Sequence, residues 1–172
     1  MEKRGQFYLL AGIVIITLVF GFAAFSNYFK KNNSGTNFEY LGSELKTESG
    51  NVIDYAIKNN QNVKTVLNQF AEDYSNYSEA DDLYFVFGTR SEITLAGYKK
   101  KSSGSISIDT GNGSQEFTIG KGQYKSTDIP SPSEDIKLTV NNVDYSFHLE
   151  VGENFYFVMS KEVNGERYII TG

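Results

Sequence analysis

The feature that most constrains this chain is Phe7-Tyr-Leu-Leu-Ala-Gly-Ile-Val-Ile-Ile-Thr-Leu-Val-Phe-Gly-Phe-Ala-Ala-Phe25, which lies in a charge-free run between Arg4 and Lys30. As a helix its 19 residues would be about 28 Å long, against a hydrocarbon core of roughly 30 Å. Twelve of them are Leu, Ile, Val or Phe, worth roughly 4–7 kcal/mol of insertion free energy together. The stretch predicts a single transmembrane helix. A removable secretory signal is the rival reading, with small-residue sites at Ala23, Ala24 and Ser26, but its apolar core is usually shorter, about 7–15 residues. Within the stretch, Thr17 and Gly21 make a small-xxx-small pair that lets two such helices approach closely.

Charge alone gives no orientation, because Lys3 and Arg4 on one side face Lys30 and Lys31 on the other. The flank Lys3-Arg4-Gly5-Gln6 does more. A basic pair and a glycine directly before an apolar run resembles the class III leader of archaeal type IV pilins. The position of the glutamate found in bacterial pilins is Leu10 here, which directs the resemblance to the archaeal branch. The resemblance implies cleavage between Gly5 and Gln6 by a prepilin-type peptidase on the cytoplasmic side. It also implies an apolar helix retained in the bilayer and able to bundle with its copies, and a C-terminal domain outside the cell membrane.

The chain has 172 residues, so the part beyond the anchor is long enough for one sizeable core. Aromatics reach 15% and charged residues 22%, which favours a folded domain over a disordered one. From Asn32 onward there are 12 Lys or Arg against 20 Asp or Glu. An acidic domain repels phosphate backbones, so nucleic acid is not an expected partner. The absence of Cys removes disulfides, thiolate nucleophiles and Cys-ligated metals together.

The expected layout is a leader at 1–5, the transmembrane helix and flank at 6–31, and a polar linker at 32–37. A helical region at 38–80 and an antiparallel β domain at 81–172 follow. Phe38, Leu41, Leu45, Val52, Ala56 and Ile57 share a face at helical spacing and predict an amphipathic helix, Phe38 to Lys58. Val63, Val66, Leu67, Phe70, Tyr74 and Tyr77 predict a second, Asn62 to Asn76, capped by Asn62.

After Asp81 the period falls to two. The segments Leu83–Phe87, Glu92–Ala96, Ser105–Ile108, Glu116–Ile119, Ile136–Val140, Val143–Val151, Phe155–Val163 and Glu166–Thr171 read as about eight short strands. The two-residue links among the last four predict an antiparallel meander. The fold class is therefore α+β: a transmembrane helix, two amphipathic helices, then an antiparallel sheet or sandwich. Tyr84, Val86, Tyr156 and Val158 lie in strands that are apolar on both sides, which calls for cover by the helices or for an interaction surface.

Chemistry-bearing residues are few. The single histidine, His148, falls in phase with Ser146 and Glu150 on the polar face of its strand. Asp81-Asp82 and Glu134-Asp135 are the candidate carboxylate pairs, both at element edges where acidic side chains are usually solvated. Lys99-Lys100-Lys101 reads as a solvated hairpin tip that could touch an anionic polymer. Gly120-Lys-Gly122 is too short to cradle phosphate. Glycosylation sequons stand at Asn32, Asn76 and Asn112, a number that chance provides at this Asn, Ser and Thr content.

No catalytic set, cofactor or metal site is expected. The leading expectation is a pilin-like subunit of a surface filament, with the lipid bilayer and its own copies as partners. A solitary anchored binding or adhesion module, or an accessory subunit of an envelope complex, is the alternative. A membrane enzyme working with carboxylates alone is the third.

Overall fold

In a computed structural model, which describes residues 38–111, 113–130 and 133–172, the chain changes from helical to extended at Asp82. It divides after Phe38, and Glu39–Gly172 is a single unit. The first helix, α1, covers 38–58. The second, α2, is Val63–Tyr77, with the Asn62 side chain accepting from Thr65 N–H at 2.9 Å as its N-cap.

Leu45, Ser49 and Ala56 on α1, and Leu67, Ala71 and Tyr74 on α2, form the buried faces. The Tyr74 hydroxyl donates to the Leu41 carbonyl at 3.3 Å and ties the two helices together. The two expected stripes are each trimmed by one residue. Ile57 is 58% and Tyr77 90% exposed, each in the last turn of its helix.

Nine strands follow: β1 (Asp82–Thr89), β2 (Glu92–Lys99), β3 (Gly104–Asp109), β4 (Ser114–Ile119), β5 (Gln123–Pro130), β6 (Asp135–Val140), β7 (Val143–His148), β8 (Asn154–Val163) and β9 (Glu166–Thr171). They make a five-stranded sheet in the order β5-β2-β1-β8-β9 and a four-stranded sheet in the order β4-β3-β6-β7. All their pairings are antiparallel. At the β8–β9 turn, Asn164 and Gly165 both take positive φ, 55° and 80°, as a two-residue primed hairpin requires.

The inner faces of the two sheets meet in one core that includes Val86, Ile93 and Leu95 from the larger sheet and Ile108, Phe117, Ile136 and Leu138 from the smaller. The smaller sheet alternates buried and exposed residues, with its outer face in water. The larger sheet is buried on both sides at its centre, in β1 and β2. Along β1 every residue from Asp82 to Gly88 is buried, and the outer-face row of Leu83, Phe85 and Phe87 lies under the helices. Phe70 of α2 reaches Phe155 at 6.0 Å between ring centres, and Phe155 in turn lies 5.7 Å from Phe85. At Gly42, α1 comes so close to β9 that a Cβ would stand 2.6 Å from Ile170 Cγ2. The architecture is thus three layers: helices, five strands, four strands.

Several sequence expectations need correction. The fold class does not stand as expected, because among the described residues no helix is long and apolar enough to cross a membrane. The segment Phe7–Phe25, the leader residues Lys3, Arg4, Gly5 and Gln6, the pair Thr17 and Gly21, and the linker 32–37 lie outside the described residues. Nine strands replace about eight. The additional one, β5, was hidden because it is an edge strand in which Ile129 alone is fully buried, so alternation is faint, and it ends in a proline suited to an edge.

The expected meander breaks at its middle link. Between β7 and β8 the chain leaves the smaller sheet for the larger. Buried Asn154 fixes this corner: its Oδ1 accepts from Glu150 N–H at 2.8 Å, and its Nδ2 donates to the carbonyls of Gly88, Glu150 and Gly152. Finally, the face carrying Tyr84, Val86 and Val158 is covered neither by the helices nor left as a surface. It packs on the second sheet.

Candidate functional site

At the open end of the β1–β2 hairpin, Asp82 lies directly opposite Lys99, and on its other side β1 sets Asp82 opposite Ser160 of β8. Side chains two residues apart on a strand share a face. Asp82 is therefore in phase with Tyr84 and Val86, and Lys99 with Leu95. All three polar residues point between the sheets, where the rest of the core is apolar.

Lys99 is 6% and Asp82 9% exposed. Lys99 Nζ stands 3.4 Å from Asp82 Oδ1 and donates to the Tyr84 hydroxyl at 3.2 Å. Asp82 Oδ2 accepts from Arg167 Nη2 at 2.7 Å and from Ser160 Oγ at 3.3 Å. With its amide turned so that Oδ1 faces β9, Asn141 accepts from both Arg167 Nη1 and Nη2, at 2.9 and 2.8 Å. Burial first, and the Asp82 charge second, push the Tyr84 phenol upward in pKa. It stays a neutral hydroxyl.

Asp81 completes the rim of a 190 Å³ cleft shared with Asp82, Lys99, Lys101 and Arg167. Asp81 Oδ2 receives Lys101 Nζ at 2.7 Å and the Glu162 N–H at 2.9 Å. Burial by itself would raise the Asp81 carboxyl. The Lys101 hydrogen bond, the Glu162 N–H and the charges of Lys101 and Lys100 outweigh it and hold Asp81 below its ordinary value.

Both expected carboxylate pairs are thus divided among cations. Asp81 and Asp82 go to Lys101 and to Lys99 with Arg167. Glu134 and Asp135 go to Arg90 and His148. No two carboxylates share a proton in this arrangement, and among the described residues no group of three or more His, Asp or Glu stands together to hold a metal ion. The lysine run is not a uniformly solvated tip. Lys99 is interior, Lys101 is spent on Asp81, and Lys100 is exposed. Asn76 is exposed in the last turn of α2, while Asn32 and Asn112 lie outside the described residues.

His148 occupies the polar face, as the alternation implies, with its Nδ1 2.8 Å from Asp135 Oδ1 on the neighbouring strand and its carbonyl accepting from the Tyr156 hydroxyl. The hydrogen bond to Asp135 raises its pKa above 6.5, aided by the charges of Asp135, Glu150 and Glu134. A raised histidine value means that the contact stabilises the fold below the ordinary value and that this stability is lost as pH rises through the folded value. The Tm difference between the native chain and His148→Ala should therefore be positive near about pH 5.5 and fall toward zero by about pH 8.5. A difference that is flat with pH would refute the pairing.

No protein-family model matches the chain, and neither the curated proteins nor the solved structures give a significant match.

Proposed function

We propose that the chain is a structural surface protein, a pilin-like subunit held at the cell membrane through its apolar segment and projecting the three-layered domain outward. The observation that carries this reading is the Lys3-Arg4-Gly5-Gln6 flank standing directly before Phe7–Phe25. The domain's architecture is compatible with that role. Its N-terminal helix lies against one face of the larger sheet, and the polar groups of the interior cluster around Asp82 hold β1, β2, β8 and β9 to each other.

In this reading a prepilin-type peptidase removes the first five residues, and the apolar segments of neighbouring copies associate to build the filament. Thr17 and Gly21 give those segments a close-packing surface. The polar run Asn32-Asn33-Ser34-Gly35-Thr36-Asn37 favours a second reading, a solitary anchored binding module or envelope accessory subunit, because it interrupts the apolar pattern that filament subunits extend.

N-terminal sequencing of the protein isolated from its native membrane decides processing. A mature chain beginning at Gln6 is expected, and one retaining Met1 would overturn the pilin-like reading. Electron microscopy then separates the two architectures, since processed protein found only dispersed in the membrane supports the solitary module.

A further inference from the structure

The Lys99–Asp82 pair holds more than an ionic contact needs. The two side chains come from directly opposed positions on adjacent strands and are 8% and 12% exposed. Each carboxyl oxygen has a separate environment: Oδ1 faces Lys99 Nζ at 3.4 Å, whereas Oδ2 is held by Arg167 Nη2 and Ser160 Oγ. The amine end is confined as well. The Tyr84 hydroxyl accepts from Nζ at 3.2 Å, and β3 passes so near that a Cβ on Gly104 would stand 3.2 Å from both Cε and Nζ. A nucleophile, an acyl group and two donors aimed at one acyl oxygen are thus assembled on the wall of the cleft, with the two reacting side chains themselves almost wholly buried.

The geometry points to a covalent amide between Lys99 Nζ and Asp82 Cγ, formed by the protein on itself. Within the pair one proton passes from Nζ to Oδ1, leaving a lone pair on Nζ and a hydrogen on the oxygen that departs. The Nζ lone pair then attacks Cγ. Negative charge collects on Oδ2, between Arg167 and Ser160, which act as preorganised oxyanion donors.

A second proton moves from Nζ to Oδ1, the Cγ–Oδ1 bond breaks, and one water leaves. The new Nζ–Cγ bond keeps one hydrogen on nitrogen, no electrons are exchanged, and no co-reactant is consumed. Amide formation is unfavourable between separate molecules in water. Here the two groups are held at an effective concentration that intramolecular reactions place at about 10⁵–10⁸ M. The released water exits by the cleft that Lys101 and Asp81 line. The product would tie the central hairpin at its open end in a chain without cysteine.

Mass spectrometry of the full-length chain tests this independently of N-terminal processing. Trypsin should leave Thr65–Arg90 and Ser91–Lys100 joined in one species, lighter than their sum by one water, about 18 Da. Fragmentation should place the link at Asp82 and Lys99. In Lys99→Arg, which keeps the charge but not the nucleophile, both the link and the mass deficit should vanish. Native protein giving Thr65–Arg90 and Ser91–Lys99 as separate peptides at their calculated masses, trypsin having cut after an unmodified Lys99, would overturn the proposal, whether or not the variant folds.

Discussion

Replacing Phe85 by Ala should lower the free energy of unfolding by about 3–5 kcal/mol, the range for emptying a fully buried aromatic site. Phe85 is completely buried, lies opposite Ala96 and Phe157 on its two neighbouring strands, and meets Phe155 at 5.7 Å. It faces the helical layer, so the cavity would open between helix and sheet. Urea denaturation followed by circular dichroism reads the loss. A value under about 1.5 kcal/mol would mean that the helices settle into the gap and that their packing on the sheet is loose.

The second large effect is an asymmetry. Asp82→Ala strands the Lys99 ammonium in the interior and frees Arg167, and removing one partner of a buried pair costs about 3–5 kcal/mol. Lys99→Met should cost much less, because Asp82 keeps Arg167 and Ser160 and the methionine follows the path of the lysine stem. The difference stands whether the Lys99–Asp82 contact is ionic or covalent, since both variants abolish it. Equal losses would show that the carboxylate does not depend on Arg167. Exposed pairs such as Lys137–Asp144 should matter far less, because solvent screens them.

Local pattern carried the helices well, because α1 and α2 each present a long stripe at one period and Asn62 supplies a cap that depends on a single side chain. Strand positions were equally accessible wherever alternation was strong, as in β6, or wherever a turn demanded positive φ, as at Asn164-Gly165. What local pattern could not carry was partnership. Val143–His148 and Asn154–Val163 are joined by a link that could close a hairpin, yet they pair in different sheets, and the determinant is a hydrogen-bonding asparagine rather than hydrophobicity.

The interior cluster shows the same limit. Asp82 is in phase with Tyr84 and Val86, and Lys99 with Leu95, but the expected strands ran only from Leu83 to Phe87 and from Glu92 to Ala96, so neither residue was read as facing inward. Their position next to Asp81 and Lys100 made them look like members of solvated charge runs. Only the register that sets Asp82 opposite Lys99 distinguishes the buried member of each run. Arg167, far along the chain and 41% exposed at its side chain, left no signal in its own surroundings.

The position of β1 has a kinetic consequence. It is the middle strand of the larger sheet, and its second neighbour β8 comes from far downstream: Asn154 reaches back 66 residues to Gly88, and Ser160 reaches 78 to Asp82. Closing such loops is slow and comes before the contacts that reward it. Until Asn154–Val163 has been synthesised, one edge of this strongly apolar strand has nothing to pair with. A nascent chain in that state is a template for aggregation, and a nonsense mutation upstream of β8 would yield not a smaller domain but an unfinished one.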